Sequence, residues 1–326
     1  MESTDVGKGR QMLPAGDHTY EGFVLPRDSA VERFIKRPIR RFGYPLYIFL
    51  VNQWLSRKYC YLGLQPDVWL WGQRGNDYAR HRRRVNRILP LAGKNLLIVG
   101  CGTGHDVPSW MDHRPATVTG VDYFNYDKAW SLLRQQAARD FPGTKLDFVP
   151  ADLAALSPFL AAAFDMVGSD AVFEHVRDLP SVLREFRRVL RPGGLVYATF
   201  GPLWYSWGGD HVSGSDEIAN GFNHLLLDSD AYRRYLQKFG PCTPPDHDWR
   251  IWINHSMFSY LRPLQYLTAL EDVGFTRVFV GAMIAPQAIR CLAENPQLSA
   301  RLLDAHPMRD LITGAMTIIY RKPTSA

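Results

Sequence analysis

LLIVGCGTGHDV, residues 96–107, is the stretch on which the reading of this 326-residue chain turns. Leu96 to Val99 form a short apolar run, glycines follow at 100, 102 and 104, and polar residues then open a helix. A strand, a tight turn and a helix start in that order bring backbone amides up to a nucleotide-like ligand. Gly100, Gly102 and Gly104 can take positive φ or let a ligand approach where a Cβ would obstruct it. A second run, TVTGVD at 117–122, ends on Asp122, an acid at a strand tip from which it can accept hydrogen bonds from ribose hydroxyls. A dinucleotide G-x-G-x-x-G would need glycine at position 105; the chain has His105, which argues against a nicotinamide enzyme.

Outward from that turn, strand and helix patterns alternate. Strands are expected at 95–100, 116–121, 145–150, 164–169 and 194–200, with helices between them. After Phe200 the alternation gives way to an aromatic, His- and Pro-rich stretch over about 202–262, an insertion by its composition. A helix at 264–273, a strand at 275–283, a helix at 287–305 and a last strand at 311–321 complete the pattern. The fold class expected is α/β: a doubly wound, mostly parallel seven-stranded sheet with an antiparallel last strand, an N-terminal helical segment and an insertion after strand five. Residues 1–28 read as a loosely ordered tail, 29–92 as a helical N-terminal or cap segment, and 93–326 as the main domain. The aromatic and Arg-rich segment 29–92 admits a packed helical subdomain, a substrate-covering cap, or a membrane-surface contact through residues 31–62. HRRRVNR at 81–87 fits a solvated helix face, or a phosphate contact.

Composition sets the bounds. With 46% apolar residues the chain can bury a sizeable core without staples. The net charge of +6 permits an anionic partner without requiring one. Four cysteines, at 60, 101, 242 and 291, are widely separated, so neither a disulfide framework nor a zinc site is expected, and a cytoplasmic setting fits. No signal sequence opens the chain, and YPLYIFLVNQWL at 44–55 is too short to span a bilayer.

The series IVGCGTG, GVD at 120–122, PADL at 150–153, FDMVGSDAVFEHV at 164–176 and LRPGGLVYATF at 190–200 resembles the class I S-adenosylmethionine-dependent methyltransferases of the small-molecule type. The resemblance implies that Gly100, Gly102 and Gly104 approach the methionine moiety of S-adenosylmethionine, that Asp122 binds the ribose, and that Asp152 lies beside the adenine. It extends the implied cofactor contacts to Cys101, Thr103, Tyr123, Leu153 and Asp170. Ile98 stands where the family usually carries an acid. As an alternative to these roles, Asp122 and Asp152 could each cap a following helix.

Methyl transfer asks the protein to align a nucleophile with the donor methyl, exclude water and remove a proton. Candidate bases therefore belong at carboxyl ends of strands or in the insertion above them. Glu174 and His175 follow the fourth strand. In some similar quinone methyltransferases acids before the His hold a divalent ion, but Ala171 replaces one of them here and Asp170 is out of register, so no metal is expected. The second group is GPLWYSWGGDHV at 201–212. Trp204, Tyr205 and Trp207, with His224, are expected to bind the acceptor, and His211 to act as general base beside Asp210. The turn after strand four reads SDAV rather than N-P-P-Y or D-P-P-Y, which argues against exocyclic base amines as acceptors. A small-molecule acceptor is expected, methylated on oxygen: a natural product, a sugar or a lipid-linked glycan. An RNA methyltransferase, a catalytically silent binding module and a membrane-peripheral lipid methyltransferase remain the alternatives.

Overall fold

The computed structural model describes residues 68–72, 78–239 and 257–324. The expected tail at 1–28, most of the segment 29–92 including the proposed membrane contact at 31–62, and residues 240–256 lie outside the described residues.

Strand β2 (Asn95–Val99) shows why a parallel sheet forms. Leu96 and Ile98 face one buried layer while Leu97 and Val99 face the other, so an unbroken apolar run serves a strand covered on both sides. Around it lie β3 (Thr117–Asp122), β4 (Lys145–Pro150), β5 (Phe164–Asp170), β6 (Leu190–Phe200), β7 (Thr276–Ile284) and β8 (Thr313–Arg321). These seven strands form the expected sheet: β2 to β6 run parallel, and β8 is antiparallel to both β6 and β7. An eighth strand, β1 (Val68–Gly72), pairs in parallel with β7 at the far edge, giving the order β1-β7-β8-β6-β5-β2-β3-β4. It corrects the purely helical reading of residues 29–92, in which the aromatic run VWLWG went unrecognised as an edge strand.

Helices cover both faces. On one side α1 (Tyr78–Ile88) and α2 (Asp127–Asp140) pack with Trp110, Trp130 and Phe148. On the other, α3 (Leu179–Val189) buries Leu179, Val182, Leu183, Phe186 and Val189, a stripe at helical spacing, and Asp178 caps it by accepting from Ser181 N. The insertion carries α4 (Asn223–Leu226) and α5 (Ser229–Phe239). Beyond residue 257, α6 (Pro263–Asp272) returns to the second face. The single helix expected at 287–305 is two, α7 (Pro286–Glu294) and α8 (Pro296–Ala305), broken where Pro296 restricts Asn295 to a non-helical backbone. A short α9 (Met308–Ile312) precedes β8.

The lower rim of the sheet is closed by one acid. Asp165 accepts from Asn95 N at 2.9 Å and from Arg191 Nη1 at 2.7 Å, with Lys94 Nζ at 3.7 Å, so β2, β5 and β6 meet on a single carboxylate. The upper rim, where the strands end and the loops begin, carries the candidate site.

Candidate functional site

The glycine turn after β2 is built as the sequence implies. Gly100, Gly102 and Gly104 all have positive φ, between 51° and 84°. A Cβ on Gly100 would run into the Val172 side chain, and one on Gly104 into Phe148. On Gly102 a Cβ would meet nothing within 4 Å, which is the open approach a cofactor needs. Asp122 at the tip of β3 holds this turn in place: Oδ2 accepts from Gly102 N at 2.7 Å and Oδ1 from Phe124 N at 3.0 Å. Sequence reasoning missed Trp130, whose indole N–H donates to Gly102 O at 2.9 Å while its ring stacks on Phe148. Both backbone groups of Gly102 are therefore fixed by side chains from α2 and β3.

The other expected cofactor contacts line the same rim. Thr103 is exposed beside the turn, Tyr123 is 68% exposed and meets Phe124 edge-on, and Cys101 is half-buried with its thiol pKa raised by burial and by Asp122. The residues after the glycines begin with turns and then a short 3₁₀ helix, Val107–His113, in place of an α-helix. Asp152 is exposed and its Oδ1 accepts from Ala154 N at 2.9 Å. It closes a turn, because Leu153 starts no helix and the alternative of a helix cap does not hold. Asp170 is turned inward. Arg82 Nη2 reaches it at 3.0 Å and Tyr197 OH at 2.9 Å, and burial lifts its pKa to about 6 against those two partners. Its carboxylate thus anchors α1 to the end of β5.

Across the rim, the loops after β5 and β6 meet. His175 and His211 stack with ring centroids 5.1 Å apart and planes 25° from parallel, and Phe258 lies against both. His175 Nδ1 is 2.9 Å from Met257 O. A carbonyl only accepts, so Nδ1 carries the proton and Nε2 the lone pair in the neutral ring. Burial lowers the His175 pKa to about 4, and burial together with His175 lowers that of His211 to about 3. Ala171, His211 and Tyr260 each adopt positive φ (56°, 66° and 55°) without being glycine. Such backbone costs about 1–2 kcal/mol per residue and gathers at sites where loops are held in place by their surroundings.

Asp210 and His211 part company at this turn. Rather than facing His211, the Asp210 carboxylate accepts from Val212 N (3.1 Å), Ser213 N (2.7 Å), Ser213 Oγ (2.9 Å) and Tyr232 OH (2.6 Å). Burial works to raise its pKa, but His224 and these donors outweigh burial and hold it below the ordinary carboxylate range. His224 lies 3.7 Å from it through Nδ1, beyond hydrogen-bond distance, and donates Nε2–H to Trp204 O at 2.7 Å. Burial lowers the His224 pKa while Asp210 works to raise it, so the two groups bias one another's protonation.

The expected aromatic wall divides. Trp204 meets His224, Phe258 and Tyr260 at 4.6–5.1 Å and stays on the His175–His211 side. Tyr205 turns toward Arg262 and His306. Trp207 packs with the cluster around Phe222, donates to Ile218 O at 2.9 Å, and leaves no room for a Cβ on Gly214 or Gly221. Partly buried against that cluster, it packs with Phe222 and Ile218, while Trp204 stays with Phe258. Phe258, Tyr260 and Tyr232 were not foreseen; they stand 20 to 80 residues from their partners, where no local pattern points to them.

Among the described residues no group of three or more His, Cys, Asp or Glu is arranged to hold a metal ion, and no helix is long and apolar enough to cross a membrane.

Residues 97–198 match the family model described as a methyltransferase domain. A ubiquinone biosynthesis O-methyltransferase of Pseudomonas entomophila is 37% identical over 117 residues, covering 35% of this chain and 48% of the relative. The corresponding Pseudomonas paraeruginosa protein is 35% identical over 107 residues, covering 33% and 44%. The chain spans about half the length of the curated relatives it matches. Solved structures similar to it include a putative sarcosine dimethylglycine methyltransferase from Galdieria sulphuraria (TM-score 0.48, 12% identity, 75% and 84% covered). Another is the [4+2]-cyclase SpnF (TM-score 0.46, 19% identity, 76% and 81% covered). Over residues 97–198 the chain is thus similar to a methyltransferase domain, the stretch in which the glycine turn, Asp122 and the motifs that follow them fall.

Proposed function

We propose that the protein transfers a methyl group from S-adenosylmethionine to an oxygen of a small-molecule acceptor: a natural product, a sugar or a lipid-linked glycan. The observation that carries this reading is the half-buried His175–His211 stack, set between the ends of β5 and β6 and a few residues from the glycine turn's contact Val172. S-adenosylmethionine, when bound, supplies a sulfonium-activated methyl group. Gly100, Gly102 and Gly104 form the cradle for it, Asp122 the ribose contact, and Tyr123, Asp152 and Leu153 the rim near the adenine.

On the acceptor side the chain must align a hydroxyl, exclude water and take its proton. Burial keeps both imidazoles neutral, the form that can accept a proton, and Trp204, Phe258 and Tyr260 supply an apolar wall. S-adenosylmethionine would supply the methyl group to the acceptor oxygen and leave as S-adenosylhomocysteine, and His211 would take the hydroxyl proton. His175 is the second reading for this role, favoured by the Met257 bond that fixes its tautomer with the lone pair on Nε2.

Calorimetric titration with S-adenosylmethionine tests the donor half, and no binding below millimolar concentration ends the proposal. For the base, His211→Ala is expected to keep cofactor affinity and to lower turnover by about two to four orders of magnitude. The readout is S-adenosylhomocysteine formation against a panel of hydroxylated small molecules. Full turnover in that variant with loss in His175→Ala transfers the role to His175.

A further inference from the structure

Glu174 holds together three stretches that lie far apart in the chain. It sits in the one-turn 3₁₀ helix Phe173–His175 after β5 and is 1% exposed. Its Oε1 accepts from Gly201 N at 2.9 Å, and its backbone carbonyl accepts from Ser259 N at 2.8 Å. One residue on, His175 ties the same segment through Met257 O. Among the described residues the carboxyl group accepts from neutral backbone amides, Gly201 N–H and its own N–H, and from no charged donor. Oε2 is buried with no hydrogen-bond partner among the described residues. A buried carboxylate with only neutral donors is badly compensated, whereas a carboxylic acid in the same place is not.

We propose that Glu174 is an uncharged positioning residue: as a carboxylic acid it pins Gly201, where the 201–212 loop begins, to the 257–259 segment, and so sets the spacing of the His175–His211 stack. The role differs from metal ligation or proton transfer at this dipeptide in that it asks for no charge on the carboxyl group and no contact with the acceptor. Burial pushes the Glu174 pKa up to about 8, in the same direction. The titratable groups facing it are the Tyr266 hydroxyl of α6, which is hydrogen-bonded to Ser259 Oγ, and the His175 and His211 rings. Burial keeps all three uncharged at neutral pH. The catalytic meaning of the spacing rests on the acceptor-side reading above; the test below uses no turnover.

Glu174→Gln keeps an acceptor oxygen for Gly201 N–H, and Glu174→Ala does not. Amide hydrogen exchange on the full chain is expected to show residues 201–212 and 257–260 protected within about threefold of wild type in the Gln variant and at least about tenfold less protected in the Ala variant. Thermal unfolding between pH 5 and 9 supplies the second readout. The folded state holds a proton up to about pH 8 that the unfolded chain releases near 4.5. The contribution of Glu174 to wild-type stability therefore falls as pH rises through that window, and levels off above it. Glu174→Gln lacks the titration, so its Tm relative to wild type should climb from pH 5 to 8. A Gln variant as loose as Ala, or a Tm difference independent of pH, overturns the proposal. Failure of the wild-type protein to bind S-adenosylmethionine would instead remove the methyltransferase reading and leave these outcomes interpretable.

Discussion

On the donor side of the upper rim, the groups that matter are backbone groups held by nearby side chains. Gly102 N–H is fixed by Asp122 and Gly102 C=O by Trp130, across separations of 20 and 28 residues within one β-α-β run. On the side of the His175–His211 pair, side chains tie loops together across the insertion. Asp210 meets Tyr232, Glu174 meets Gly201, and His175 meets Met257 at a separation of 82 residues. The first arrangement is a turn whose shape follows from its own glycines. The second is a set of loops that owe their shape to distant partners, and three residues of unfavourable backbone sit in it. The difference teaches that ligand affinity should be concentrated on one side and conformational stability on the other.

That division can be broken experimentally. The largest effect is expected at Asp210, whose removal leaves the buried donors Ser213 N, Ser213 Oγ and Tyr232 OH without an acceptor. Asp210→Ala should cost about 3–5 kcal/mol of stability, measured by urea unfolding, with S-adenosylmethionine affinity unchanged under conditions where the variant is folded. A stable Asp210→Ala protein would show that the acceptor loops hold themselves without this network. Next comes Asp122→Asn, which should weaken S-adenosylmethionine binding by about 10- to 150-fold, since each charge-assisted hydrogen bond contributes about 1.5–3 kcal/mol. Calorimetry measures it, and unaltered affinity would take the ribose contact away from this acid. The smallest effect should come from Trp207→Phe. It removes one hydrogen bond to Ile218 O, about 0.5–1.5 kcal/mol of stability, and leaves turnover intact. A large loss of acceptor affinity in that variant would return Trp207 to the pocket and blur the line between the two regions.

Local patterns carried most of what sequence could say. The strands from Asn95 on follow from apolar runs buried on both faces, and the observed bounds lie within a few residues of the expected ones, apart from the start of β6 at Leu190. Gly100, Gly102, Gly104 and Asp122 were legible because backbone geometry at a strand end makes its demands at short range. The pairing of Asp210 with His211 failed for a local reason too: His211 has φ of 66°, a turn that sends neighbouring side chains to different sides. Trp207 misled because an aromatic residue in an insertion does not announce which surface it covers, and only Gly214 and Gly221 reveal the cleft it fills. Nothing near Trp204 in sequence marks Phe258 or Tyr260 as its neighbours; the fold brings them there.

The carboxylate of Asp165 bears on how such a chain can diversify. With β2, β5 and β6 tied together at the rim remote from the site, the frame does not depend on the loops above it for closure. Exchange of residues 201–239 would then leave the tie between Lys94, Asp165 and Arg191 untouched, while Phe222 would still have to fill the cluster it shares with Ala282, Ile284 and Leu311. In that sense the lower rim is what makes the upper one evolvable.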